Sequence, residues 1–343
     1  MIRYLVDFAL REKFLVLSVG ALLLIWGIIS FHRLPVEAYP DVADNYVSVI
    51  TQWPGRAAEE VEQQVSIPIE IQMNGLPHLT HLRSVSLFGL SYVTMIFDDD
   101  SVNLQNRQQV LERLSQVTLP ENLSPQLGPD FSPVGQIYWY TLVSSNPRYD
   151  LMELKSLQDW VVRKNLKSVP NVVDVSSFGG LTREYQVQVD PNKLIAYGLS
   201  ITQVEQALAA NNVNAGGSFI ERGQQAFNIR VLGLMQDVAD IGATVLKEQG
   251  GTPVRVRDVA VVTQGPKIRL GKIGKAIHRE DGTVVDDDDV VEGIVLLLKG
   301  AEADRTLDAL HEKIRYINQY VLPPGVKLVP HLDRSDLVDF TTH

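Results

Sequence analysis

The sequence predicts an α+β protein, with one N-terminal transmembrane helix followed by two β-α-β units, the second carrying an α+β insert. Three observations carry this. Residues 14–31, FLVLSVGALLLIWGIISF, form an uncharged run of eighteen residues. Beyond them, strand-like and helix-like periodicities come in the order strand, helix, strand, strand, helix, and that order recurs. Within the second copy, residues 181–275 interpose elements of their own.

The first element is the apolar run. Eighteen helical residues cover roughly 27 Å, close to a hydrocarbon core of about 30 Å. Lys13 bounds it on one side, and His32 and Arg33 on the other. Before it, MIRYLVDFALREK intersperses Ile2, Leu5, Val6, Phe8 and Leu10 with charged residues, which suits a short helix lying in the membrane plane. Arg3, Arg11 and Lys13 place the N-terminus in the cytoplasm. A cleaved signal peptide is the competing reading, with VEA at 36–38 as its cleavage site, and a buried soluble helix is the third. The run exceeds the usual signal core of about 7–15 residues, and Arg33 and Pro35 stand before that site, so an uncleaved span is expected.

The next elements form the first unit. LPVEAYPDV (34–42) is an extended lead-out. YVSVITQWPG (46–55) reads as a strand closed by Pro54-Gly55. RAAEEVEQQVSIPIEIQMNG (56–75) reads as a helix, with Glu59, Glu60 and Glu62 at its positive end and a bend at Pro68. THLRSVSL and SYVTMIFDD alternate as two strands joined at Gly89. NLQNRQQVLERLSQV (103–117) reads as a helix with Leu104, Leu111 and Leu114 on one face.

The second unit opens with the strand QIYWYTLVSS (136–145). Asp150 then caps a helix with Glu153 three residues on, running to Pro170. NVVDVSSF is a strand that stops at Gly179-Gly180. After the insert come the strand VVEGIVLLLKG (290–300), a helix with Leu307, Leu310, Ile314, Ile317 and Val321 at steps of 3 and 4, and the strand GVKLVPHL (325–332). A split β-α-β pair of this kind is the ferredoxin-like arrangement, with helices on one sheet face and the other face free to pack or line a cleft.

In the insert, REYQVQVD alternates as a strand, PNKLIAYGLS and ITQVEQALAANN read as two helices, and AFNIRVLG and VRVRDVAVVTQG read as strands. NNVNAGGSFIERGQQ (211–225) is polar and Gly-bearing, a loop tip or an arm. DRSDLVDFTTH (333–343) begins like a capped helix and stops, so the chain reads as the N-terminal piece of a longer one.

Composition narrows the function. The 343 residues carry a net charge of −10; residues 1–33 hold four basic groups against two acidic ones, which leaves −12 on the remainder. An acidic body argues against nucleic acid as a partner. The absence of cysteine removes disulfides, thiolate metal sites and a Cys nucleophile. No GxSxG elbow or phosphate loop is present, and no convergent catalytic site can be found, so no enzyme is expected.

Nine stretches, in order, carry a resemblance: LPVEAYPDV, EEVEQQVSIPIE, RSVSLFGLS, RQQVLERL, LGPDFSPVGQIYWYTL, VPNVVDVSSFGG, VDPNKLIAYGLS, GGSFIERGQQAFNIRVLG and VEGIVLLLKG. Together they resemble the N-terminal third of the heavy-metal efflux branch of the resistance–nodulation–division (RND) transporters. The resemblance implies an in-plane helix and first membrane span at 1–33. It implies a first porter subdomain at 40–134, and a second at 135–181 with 275–332. A docking subdomain follows at 182–274, and 333–343 becomes the start of the second membrane span. It also implies a homotrimeric, proton-driven exporter of heavy-metal cations in the bacterial inner membrane. Residues after about 33 would lie in the periplasm, joined there to an adaptor protein and an outer-membrane channel. No cofactor is implied beyond the transported ion and the proton motive force. The family's arm, reaching a neighbouring protomer, falls on Asn211, Asn212, Asn214, Gly216, Gly217, Phe219 and Arg222. A single-span periplasmic sensor or adaptor domain is the alternative reading of the whole chain.

Candidate metal-contacting residues follow from the same layout. Gln136 stands where relatives exporting divalent ions often carry Glu (GQIYWY here against GEIY), and an amide suits a dication less than a carboxylate does. Asp174, in NVVDV, faces the same porter cleft in the family fold. Each has an ordinary reading as a sheet residue. Proton relay needs ionisable groups inside the membrane, and residues 14–31 contain none; in the family these lie in later spans. The five methionines are scattered and read as core filler or surface. His78 and His81 read as a solvated loop, and the acidic runs FDDD (97–100) and VDDDDVV (285–291) as solvated, the latter as a hairpin tip.

Overall fold

The computed structural model describes residues 11–31, 41–214, 219–222, 225–228, 233–269, 271–278 and 281–342. The expected in-plane helix, most of the lead-out and the glycines of the arm lie outside these residues.

Helix α1 (Lys13–Phe31) holds the apolar run. It is the single helix among the described residues long and apolar enough to cross a membrane, and none of its apolar window is buried by protein. An apolar helix left uncovered is unstable in water but at home in hydrocarbon.

β1 (Asn45–Gln52) leads into a composite helix, α2, in which Ala58–Val61, a π-helical turn Glu62–Ser66 and Ile67–Met73 run on from one another. Pro68 comes just after this wider turn, whose changed hydrogen-bond pattern accommodates a ring that would otherwise clash with the carbonyl four residues back. β2 (Leu79–Leu87) and β3 (Leu90–Phe97) form a hairpin at Gly89, α3 (Asn103–Leu114) follows, and β4 (Gln126–Leu127) closes the sheet in the order β2-β3-β1-β4. Val47, Val49, Val93, Met95 and Phe97 face Val61, Val65, Ile69 and Met73 of α2 and Val110 and Leu114 of α3. The face expected for α3 is corrected here. Leu104 and Leu111 are exposed, and Asn106, Val110 and Leu114 are the buried residues.

A second four-stranded sheet repeats this order. β5 (Gln136–Ser144) leads to α4, made of Leu151–Leu157, a π-helical Gln158–Val162 and Arg163–Leu166, and then to β6 (Val172–Gly179). β7 (Arg183–Val189) begins the insert. Its helices are α5 (Pro191–Tyr197) and α6 (Ile201–Asn211), and its strands β8 (Phe219–Arg222) and β9 (Gln225–Asn228) form a hairpin. α7 (Val238–Ala243), β10 (Val245–Gln249), β11 (Thr252–Arg255), α8 (Val256–Val259) and β12 (Ala260–Pro266) follow. The single strand expected over VRVRDVAVVTQG is therefore two strands split by a helical turn. The turn buries Val256 and Val259 against Leu194, Val204 and Val254. β12 pairs with β7 along its whole length.

The hairpin of β13 (Lys275–His278) and β14 (Val284–Asp287) follows the expected insert. Its acidic run sits at the returning end rather than at the tip, where Arg269 pairs with Asp289 at 2.5 Å and Lys272 pairs with Asp288. β15 (Val291–Leu297), α9 (Ala303–Tyr316 with a π-helical Ile317–Val321), β16 (Val326–Asp333) and α10 (Arg334–Thr342) end the chain. The second sheet has the order β16-β5-β15-β6. Gly179 and Gly180, both at positive φ, turn the chain out of β6; a Cβ on Gly179 would stand 2.0 Å from the Val290 carbonyl oxygen. The chain divides into two compact units. One comprises residues to Ser145, Gln158–Ser177 and Glu292 onward, and the other Asn146–Leu157 with Phe178–Val291.

Candidate functional site

The second sheet carries the polar chemistry. On its helix-facing side Tyr140 is fully buried, and its hydroxyl donates to Gln158 Oε1 at 3.0 Å. Burial pushes the Tyr140 phenol well above its usual range. Gly293 on β15 lets that ring approach, since a Cβ there would lie 2.2 Å from the Tyr140 Cζ. Tyr138 stacks edge-on against His311 of α9, with ring centroids 5.9 Å apart. His311 Nε2 meets Asp333 Oδ2 at 2.6 Å, while Asp333 Oδ1 accepts from the Ser335 amide and hydroxyl. That carboxylate is thus the hinge of β16, α9 and the first turn of α10.

The sequence-proposed residues fall as follows. Gln136 is the first residue of β5 and half-buried. Asp174 sits on β6, and β15 lies between the two strands, a lateral gap of about 10 Å. Arg163 grips Asp174 through one guanidinium edge, its Nε and Nη2 donating to both carboxylate oxygens at 2.9–3.2 Å. Lys167 stands 3.3 Å away and the Val175 amide donates at 2.7 Å. Burial raises the Asp174 pKa, but the amide and the two cations outweigh it and hold the carboxyl below its usual range. A cation at Asp174 would compete with Arg163 and Lys167 for the carboxylate. His78 bonds Asp98 at 2.9 Å, and His81 is exposed on β2. Among the described residues no group of three or more His, Asp or Glu side chains is placed to hold a metal ion.

The arm residues have a defined base. Asn211 ends α6 and donates to the Ala207 carbonyl at 2.8 Å. Asn212 accepts from the Met235 amide at 3.0 Å and Asn214 from the Gly233 amide at 3.1 Å, which clamps both ends of the segment between them. Phe219 and Arg222 are the first and last residues of β8, paired with Asn228 and Gln225. Gly216 and Gly217 lie outside the described residues.

One pair escaped sequence reasoning. Glu292 of β15 and His331 of β16 meet at 2.8 Å, with only 9% of the glutamate side chain exposed. Trp139 of β5 packs edge-on against His331, with ring centroids 6.1 Å apart, and its buried indole N–H has no acceptor. The available signal was a single carboxylate inside the otherwise apolar VVEGIVLLL. The partner was invisible because a bulge in β16 sets His331: Pro330 pairs with Tyr140 and Leu332 with Trp139, leaving His331 as the extra residue.

Comparison with known proteins places this arrangement. Residues 5–343 match the model of the AcrB/AcrD/AcrF family. The chain is 40% identical over 342 residues to the "Cation efflux system protein CusA" of Escherichia coli K12, covering 99% of this chain and 32% of that protein. It is 35% identical over 348 residues to the "Cobalt-zinc-cadmium resistance protein CzcA" of Cupriavidus metallidurans, with the same coverage. The crystal structure of a heavy metal efflux pump superposes with a TM-score of 0.88 at 40% identity, over 99% of this chain and 33% of the pump chain. The chain thus spans about a third of the length of the relatives it matches.

Proposed function

The chain belongs to the AcrB/AcrD/AcrF family, and we propose that it is the N-terminal part of a proton-driven heavy-metal cation exporter. One observation carries this reading: 40% identity and a TM-score of 0.88 to a heavy metal efflux pump, sustained over 99% of the chain. The sensor or adaptor alternative is not favoured, because the similarity over 99% of this chain is to efflux pumps.

On this reading α1 crosses the bacterial inner membrane and the acidic remainder stands in the periplasm. The two sheets of matching strand order are ferredoxin-like porter subdomains, at 40–134 and at 135–181 with 275–332. Residues 182–274 are the docking subdomain, and 333–343 lead into a second span. The β8–β9 hairpin, with its base clamped by Asn212 and Asn214, is the arm that reaches another protomer of a trimer. A periplasmic adaptor and an outer-membrane channel complete the route. The heavy-metal cation is cargo, and no resident cofactor is invoked. Phe14–Phe31 offers no ionisable group, so the proton step belongs to other membrane segments of the assembled pump. Gln136 and Asp174 are assigned to the porter cleft, with Arg163 and Lys167 as the groups a cation would displace from Asp174.

Deletion of the gene in its parent cells tests the reading. The expected result is lowered tolerance to one or more of zinc, cobalt, cadmium, copper and silver, restored by the intact gene. Unchanged tolerance to all of them would overturn it.

A further inference from the structure

We propose that Glu292 and His331 form a transit site for a borderline divalent cation of the Zn²⁺ or Co²⁺ class. The proposal deepens the efflux reading and rests on it for the cation's relevance, but its geometry stands apart.

The three carboxylates of the second sheet, Asp174, Glu292 and Asp333, are held differently. Asp174 is bound by Arg163, which cannot give up its proton and repels an incoming cation. Asp333 is committed to Ser335 and His311. Glu292, like Asp333, pairs with an imidazole, the commonest metal-ligating side chain, but without the Ser335 amide and hydroxyl that hold Asp333.

Position favours entry. Gly293 turns its Cβ direction toward Tyr140 on the helix side, so the alternation of β15 puts Glu292 on the opposite face. His331 lies on the edge strand with 27% of its side chain exposed, so solvent reaches the pair from that edge. The bulge leaves His331 outside the ladder register.

The distances are close to those required. Metal–nitrogen and metal–oxygen bonds near 2.0–2.2 Å at a tetrahedral centre set the two ligand atoms about 3.3 Å apart. The observed 2.8 Å needs an opening of about half an ångström. The Nε2 proton leaves to water as the metal takes its place. Two protein ligands leave two positions for water, and the Trp139 ring packs edge-on against one of the two ligands, His331. A site so composed holds weakly and releases readily, as an ion in passage requires. One oxygen and one imidazole nitrogen, with no sulfur, select Zn²⁺ or Co²⁺ over Cu⁺ or Ag⁺.

The test uses the untagged full chain in detergent, titrated with Co²⁺ and followed by its visible d–d absorption. The wild type is expected to bind with an imidazole–carboxylate spectrum, displaced by Zn²⁺ and not by Ag⁺. His331→Ala and Glu292→Gln should each weaken binding at least about tenfold, while Glu112→Gln, at an exposed position of α3, leaves it intact. A melting curve is run on every variant. Should Glu292→Gln fail to fold, the edge-strand His331→Ala decides alone. Unchanged Co²⁺ affinity and spectrum in His331→Ala overturn the proposal, as does loss of the spectrum in Glu112→Gln alone. Either result bears on the site and not on export, which the gene-deletion experiment judges separately.

Discussion

At the scale of single residues, close approach and charge compensation explain most of what the second sheet does. Gly293→Ala would drive a methyl into the fully buried Tyr140 ring, which has no room to withdraw. It is expected to destabilise by roughly 1–3 kcal/mol, read as a lower denaturant midpoint. Asp174 has a depressed pKa, so its contribution is present above the ordinary carboxylate pKa and disappears as pH falls through the folded value. Asp174→Asn should therefore cost stability at neutral pH, by roughly 1 kcal/mol given the part-exposed Arg163, and lose less stability than the wild type on acidification. An unaltered acid limb in denaturation curves would contradict this. Asp174 was legible as a polar residue in an apolar strand; its partners were not, because Arg163 and Lys167 approach it through tertiary packing. Leu104 and Leu111 misled for a related reason: the leucines of α3 do not mark its core face, which falls on Val110, Leu114 and the polar Asn106.

Elements were legible where period and punctuation agreed. The strands ending at Gly179-Gly180 and the 3-and-4 spacing of α9 appear where the sequence puts them, with Leu307, Leu310, Ile314 and Ile317 buried. They were illegible where one turn changed hydrogen-bond pattern. The π-helical turns of α2, α4 and α9, and the short α8 inside a strand-like run, leave no mark in hydrophobic spacing. Caps are more dependable. Asp190 accepts from the Asn192 and Lys193 amides at the start of α5, and Ser200 and Gln203 form a reciprocal box on α6. Asp190→Ala is expected to cost about 1 kcal/mol. It should speed amide exchange in α5 while leaving the amides of β1 and β3 unchanged; uniform acceleration across the chain would contradict a local cap.

At the scale of the whole molecule, the uncovered apolar helix α1 and the acidic remainder set the topology. An arginine in place of Leu22 or Leu23 adds roughly 2.5–3.5 kcal/mol to insertion at the centre of a span. Placing arginine at both positions should therefore shift the chain from the membrane fraction; undiminished retention would show that α1 is not the anchor. The order of strands and the apolar helix were readable from sequence. The Glu292–His331 pair was not, because a β-bulge and a reach across the sheet brought it together. The most direct measurement of the central claim is zinc and copper loss from metal-loaded cells, with the gene present, deleted, and present under an uncoupler. The account predicts rapid loss of at least one metal that requires both the gene and the proton gradient. Equal loss in all three conditions, for both metals, would contradict it.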